Sequence, residues 1–295
     1  MDRHPCSRTH DYLGHAHDAN ARRTRWVVAL TAVMMVGEIA AGYATGSMAL
    51  LADGFHMATH AGALGVAAIA YDYARRHARD PRYSFGTGKV GDLAGFASAL
   101  VLALFALGIA VESARRLVDP GSVAFGEATL VAVIGLGVNL ASALLLSGDH
   151  HHEDGHEHGH GHDNNLRAAY LHVLADALTS VLAIVALLAG RYLGWTWLDP
   201  MMGIVGAVVI ARWSWGLMRD TGAVLLDTAD AQLCKEIRER VEGPGDQLLT
   251  DLHVWRIGPH AHAAIVEISG PATAATVRKR LASLHQIAHL TVAAP

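Results

Sequence analysis

Six apolar stretches, each close to the ~20 residues that carry a helix across a hydrocarbon layer, constrain this chain more than any other feature. They run from about Trp26 to Ala44, Met48 to Tyr71, Leu93 to Val111, Ala128 to Ser147, Leu166 to Leu193 and Trp197 to Leu217. Lipid offers no partner to a backbone N–H or C=O, so each spanning segment must be helical. Proline agrees, occurring within these stretches only at an edge, as Pro200. Composition also fits a membrane chain: 52% of the 295 residues are hydrophobic and 17% charged, against about a quarter charged in soluble domains. The 23 basic and 27 acidic residues nearly cancel. That balance gives no basic face, and no nucleic-acid partner is expected. The two cysteines, Cys6 and Cys234, are too few for a disulfide framework or a cysteine zinc site. Residues 1–25 are polar, contain His4, His10, His15 and His17, and do not resemble a signal peptide.

Short-loop Lys/Arg bias sets the expected orientation. With the N-terminus inside, the cytoplasmic flanks hold Arg3, Arg8, Arg22, Arg23, Arg25, Arg75, Arg76, Arg79, Arg82, Lys89 and Arg167, while the outer loops hold only Arg115, Arg116 and Arg191. Both termini are therefore expected in the cytoplasm. Three parts follow: a histidine-containing tail over 1–25, a six-span all-α membrane domain over 26–220, and a cytoplasmic domain over 221–295. In that last part, residues 231–242 place Leu233, Ile237 and Val241 at helical spacing. Residues 249–257 and 261–269 alternate like half-buried strands around Gly258 and Pro259. A second helix is expected over 272–287, then a short strand in HLTVA. The order α-β-β-α-β suits a small α+β two-layer domain. At roughly 75 residues it is near the lower limit for a self-sufficient core, and dimerisation would help it.

A titratable group in hydrocarbon costs on the order of 3 kcal/mol, so each one asks for a reason. The second stretch carries Asp53, His56 and His60 in LLADGFHMATHAGAL, and the fifth carries His172 and Asp176 in AAYLHVLADALTS. His56/His60 and His172/Asp176 are each spaced i, i+4, which puts both members on one helix face. Two such faces brought together would offer three imidazoles and one carboxylate, a set suited to Zn(II), Co(II) or Ni(II). A lone buried histidine is more often a hydrogen-bonded helix contact; two matched pairs on separate stretches favour metal. The pattern also resembles the H-E-x-x-H of zinc proteases, but Met57 stands where the general base would be, so no enzyme is expected. Between the fourth and fifth stretches, DHHHEDGHEHGHGHDNN places His150, His151, His152, His156, His158, His160 and His162 among Asp, Glu and Gly. Such a segment cannot bury a core but offers many imidazoles to a divalent ion.

The chain is similar to the cation diffusion facilitator family of divalent-metal/proton antiporters, from about Trp26 to Val292. The likeness rests on GSMALLADGFHM, YSFGTGKVGDLAGF, the histidine-rich loop, HVLAD, LDP at 198–200, LLDTAD at 225–230 and DLHVWRIGP at 251–259. This resemblance implies six helices, a homodimer, a metallochaperone-like (ferredoxin-like) cytoplasmic domain, and a transport site between the second and fifth spans. Carried over by motif, that site is His56, His60, His172 and Asp176. Zinc-type members usually show H-x-x-x-D in the second span where this chain has H-M-A-T-H. The extra imidazole resembles the cobalt/nickel efflux branch, with zinc not excluded.

Other residues have more than one use. Glu38 resembles an acidic residue common in the family's first span and suits either a proton relay or an interhelical hydrogen bond. Asp53 either supports a metal ligand from behind or simply lies near a helix start. Asp199 is expected to cap the sixth helix. His77 is expected to be solvated. Of His253, His262, His285 and His289, only His253 lies in a recognisable motif, though the resemblance allows regulatory metal there. The expected activity is proton-coupled efflux of cobalt, nickel or zinc from the cytoplasm across the plasma (inner) membrane. Zinc/cadmium export is the nearest alternative, and a membrane-bound metal sensor is one of another class. No permanently bound cofactor is expected: the metal is cargo, and the partners are lipid, protons and a second copy of the chain.

Overall fold

In the computed structural model, residues 15–147, 162–259 and 261–294 are described, with backbone alone for 15–28, 60, 61, 63, 64, 142–147 and 162–176. The elements are α1 (His15–Thr45), α2 (Met48–Arg76), α3 (Val90–Val118), α4 (Phe125–Ser147), α5 (His162–Leu193), α6 (Leu198–Leu225), α7 (Ala231–Glu242), β1 (Leu248–Gly258), β2 (Ala261–Ser269), α8 (Ala274–Leu281) and β3 (Ile287–Ala293). Several of the long helices outrun the apolar stretches that announce them, because their hydrogen-bond ladders continue into polar flanks. Among the described residues, α3 and α6 contain windows long and apolar enough to cross a membrane, with mean hydropathies of 2.4 and 1.5.

The chain divides into two compact units: Met1–Ala61 with Phe105–Ile210, and Gly62–Leu104 with Ala211–Pro295. In the first, α2 touches five other helices between Met48 and Met57. Small residues allow this closeness. A Cβ on Gly54 would meet Ile39 of α1 at 2.9 Å, one on Gly206 of α6 would meet the Ala52 Cβ at 2.5 Å, and one on Gly203 would meet the Met48 Cβ at 2.8 Å. Phe55 stacks on Phe105 of α3 with ring centroids 4.7 Å apart. The Met57 sulfur accepts from Asn139 of α4 at 3.8 Å, and Asp53 accepts from Ser180 of α5 at 2.8 Å. Gly46, in the left-handed region at φ 70°, makes the turn between α1 and α2, and Arg116 donates to its carbonyl.

The second unit contains the small sheet. Its strands lie in the order β1-β2-β3, with β1/β2 antiparallel and β2/β3 parallel. Leu233, Ile237 and Val241 of α7, Val277 and Leu281 of α8, and Val254, Val266 and Ile268 of the sheet form its core. The element order is the expected α-β-β-α-β, but the second helix is shorter than its pattern suggested. Thr273 caps its start, and after Leu281 the chain turns through Leu284, so that Ile287 can pair with His262 in the sheet. Asp230 caps α7, accepting from the Gln232 and Leu233 backbones at 2.9 and 3.0 Å. Arg280 grips Asp246 through two bonds of 2.8 and 2.5 Å, and this guanidinium holds the carboxyl below its usual range.

The loop carrying YSFGTGK lies on the end of β1. Phe85 meets Trp255 edge-on at 5.8 Å and His289 at 5.5 Å. Lys89 pairs with Asp227, which itself has φ 57°. A Cβ on Gly88 would fall 2.1 Å from the Ile257 carbonyl oxygen and 2.7 Å from the Gly258 Cα. Both are backbone atoms and cannot rotate aside. Gly88→Ala is therefore expected to lift this loop at a cost of about 1–3 kcal/mol. The check is faster limited proteolysis between Arg79 and Lys89, with Gly91→Ala, which meets nothing within 4 Å, as the silent control.

Candidate metal-transport site

Two turns of α2 define the site. Asp53 and His56 are 6% and 8% exposed, three residues apart and so on neighbouring parts of one face. They line a cavity closed by Thr179 and Ala183 of α5 and Gly206 of α6, whose free interior of about 30 Å³ has room for a water-sized guest. Its wall is otherwise mostly apolar. The Ser180 hydroxyl, itself buried, donates to Asp53 Oδ2, so this carboxylate is held across the α2/α5 seam. The Thr59 hydroxyl donates to the His56 carbonyl at 2.6 Å, tying down the turn that carries the imidazole.

The start of α2 is fixed from α6, and here the sequence reading needs correcting. Asp199 does not cap α6: it lies inside that helix, and its buried carboxylate accepts from the Ser47 hydroxyl at 2.6 Å, the Met48 N–H at 2.8 Å and the Ala49 N–H at 3.2 Å. Ser47 Oγ in turn accepts the Leu50 N–H at 3.1 Å. The orphan donors at the head of α2 are thus satisfied by a residue about 150 positions later. LDP and GSM, two separate motifs in the sequence, are the two halves of one joint.

Of the expected four ligands, His56 is placed with its side chain. His60 lies in α2 and His172 and Asp176 lie in α5, but their side chains are outside the described residues, as are those of His162, His15 and His17. His4, His10, His150, His151, His152, His156, His158 and His160 lie outside the described residues altogether. Sequence reasoning did not single out Thr179 and Ser180. The signal was there: Ser180 follows Asp176 by four residues, so it continues the face that bears His172 and Asp176.

In the C-terminal sheet, His253 and His262 are not brought together. His253 pairs with Ile265 and His262 with Arg256; Arg256 is three residues from His253, so the two imidazoles leave opposite faces. His253 Nε2 instead meets Asp251 at 2.7 Å. His289 rests against Phe85, His285 is exposed, and His77 stacks on Tyr73 with centroids 4.2 Å apart. Among the described residues no group of three or more His, Cys, Asp or Glu side chains is close enough to hold a metal. Glu38 is fully buried, and the interhelical hydrogen bond considered for it is not formed among the described residues.

Long apolar helices around a helix that carries buried ionisable groups are the arrangement expected of an ion-handling membrane protein. Comparison with known proteins makes the class specific. Residues 25–226 match the cation efflux transmembrane domain family. A zinc transporter, ZitB, of Escherichia coli strain K12 is 34% identical over 305 residues, covering 98% of this chain and 91% of its own. The ZitB of Pectobacterium atrosepticum is 33% identical, covering 94% and 86%. A "cadmium, cobalt and zinc/H(+)-K(+) antiporter" of Bacillus subtilis strain 168 is 32% identical, covering 83% and 77%. The chain belongs to the cation efflux (cation diffusion facilitator) family. It is a membrane transporter and not an enzyme.

Proposed function

We propose that this protein expels divalent transition-metal ions from the cytoplasm in exchange for protons, through a site made by His56 and His60 of α2 with His172 and Asp176 of α5. The observation that carries this reading is the contact between Asp53 and Ser180, with His56 in the adjoining cavity. With spans alternating in direction, α2 and α5 run antiparallel. A step of three or four residues from Asp53 to His56 then corresponds to the step from Ser180 back to Asp176. One turn further, His60 comes level with His172. This register supports a four-ligand set from two helices.

The site works because metal ligands must be deprotonated, so that metal and protons compete for the same atoms. Imidazoles titrate near neutral pH. At cytoplasmic pH they bind the ion; after the helices rock, protons from the outer side displace it. Six spans, both termini in the cytoplasm, residence in the plasma membrane and a homodimer complete the reading. The division is 1–25 tail, 26–220 membrane domain and 221–295 cytoplasmic domain. The histidine-rich loop gathers ions at the cytoplasmic mouth.

Cobalt and nickel are favoured as cargo by the H-x-x-x-H of α2, since imidazole in place of carboxylate suits these ions. Zinc is favoured by a different observation: relatives covering nearly the whole chain are named zinc transporters. One experiment separates these and tests the whole. Purified protein in proteoliposomes is offered Co2+, Ni2+, Zn2+ and Cd2+ with and without an imposed pH gradient. The expected result is gradient-driven uptake, fastest for cobalt or nickel, and abolished by His172→Ala and Asp176→Ala. Metal binding without flux identifies a sensor, and full flux in both variants removes the site assignment.

A further inference from the structure

Glu38 is not part of the cavity around His56, yet it is 0% exposed and neither carboxyl oxygen has a hydrogen-bond partner among the described residues. Its position is built by two glycines. A Cβ on Gly135 of α4 would fall 1.8 Å from Glu38 Oε1 and 3.0 Å from Cδ; a Cβ on Gly54 of α2 would lie 3.2 Å from the Glu38 Cβ. The carboxyl therefore lies directly over the backbone of α4, with the backbone of α2 against its stem. An ionised carboxylate with no hydrogen bond or counter-ion in such a place is strongly disfavoured.

The groups that face Glu38 sharpen this. From α2, Asp53 directly precedes Gly54, whose backbone lies against the Glu38 stem, and Asp53 is held from α5 by Ser180. The titratable residue of α4 is Glu127, in its first turn and about two turns before Gly135. The Met34 methyl of α1 also lies near this point, 3.4 Å from a Cβ placed on Gly135. Two carboxyls on adjoining helices, one of them a turn before His56, cannot both be charged at small cost in an apolar interior.

We propose that Glu38 is a proton-binding site of the transporter, holding a proton while the His56 site is empty and yielding it when a divalent cation arrives. This rests on the proton-coupled reading above and adds a site that coordinates no metal. The O–H bond of Glu38 breaks as the two positive charges enter beyond α2. The proton leaves to water, and the carboxylate is held by the field of the ion. When the ion departs, a proton from the opposite side of the membrane restores the O–H bond. No redox change is involved.

The test counts protons. Purified protein in weak buffer is titrated with Co2+ or Zn2+ while binding is followed by calorimetry and proton release by a pH dye. Glu38→Gln keeps the side chain's size, and it is expected to bind metal within a few-fold of wild type while releasing about one fewer proton per ion. Infrared difference spectra give a readout on the unmodified protein. Adding metal should remove a protonated-carboxyl C=O band that shifts on glutamate, but not aspartate, isotope labelling. Equal proton release from both proteins, or no such glutamate band, overturns the assignment. A wild type that binds metal and releases no proton overturns the coupled-exchange reading itself, and Glu38 with it.

Discussion

Asp199→Ala is expected to lower stability by about 3–5 kcal/mol, because it strands three buried donors that have no other partner, each costing about 1–3 kcal/mol. The donors are the Ser47 hydroxyl and the Met48 and Ala49 N–H groups, and the carboxylate that serves them is 0% exposed. A carboxylate at a helix N-terminus also gains from the helix dipole, more so when buried. Asp199→Asn is expected to do only a little better: one oxygen still accepts, but its NH2 group now points donor against donor. Ser47→Ala, which removes one hydroxyl and the link to Leu50, should cost about 1 kcal/mol. Thermal unfolding of the three variants in detergent tests this ranking. Transport should fall in the same order, since the joint sets the start of the helix that carries His56. A stable, active Asp199→Ala protein would show that α2 is positioned by its glycine contacts alone.

How much of this was legible beforehand depends on the range of the interaction. The helices were legible because burial in lipid needs a continuous apolar run, and the C-terminal elements because alternation and glycine mark strands locally. Helix ends were not, since polar residues at a membrane surface extend a helix as readily as they end it. The partner of Asp199 was hidden for a different reason. An aspartate before proline at the head of a helix looks like that helix's own cap, and nothing local says that its oxygens face another helix about 150 residues back. His253 and His262 lie close in the sequence pattern, but strand parity, which follows from register, sends them apart. Ser180 was legible in principle as the next step of the His172/Asp176 face. The glycines Gly54, Gly135 and Gly206 were not, because their meaning lies in what faces them.

His56→Ala is expected to reduce transport by at least about 100-fold, the upper range for disturbing even a group that supports a metal ligand. Because His56 is buried, a simple drop in stability would also reduce flux, so the decisive measurement is linkage. A ligand at 100 times its dissociation constant stabilises the protein by about 2.7 kcal/mol. Wild type should therefore melt higher with metal, whereas His56→Ala should melt at one temperature with and without it. A variant that is destabilised yet still stabilised by metal would make His56 a packing residue. His60→Asp asks the complementary question. It restores the H-x-x-x-D of zinc-type members and adds a negative charge and a harder oxygen ligand, so flux should persist while preference moves from cobalt and nickel toward zinc. On the proposed site, alanine at His56 removes a ligand and aspartate at His60 exchanges one, so the first should abolish the metal-induced rise in melting and the second should only reorder it among metals. The same reordering from substitutions in the histidine-rich loop, with none at His60, would place selection at the mouth of the pathway instead of between the helices.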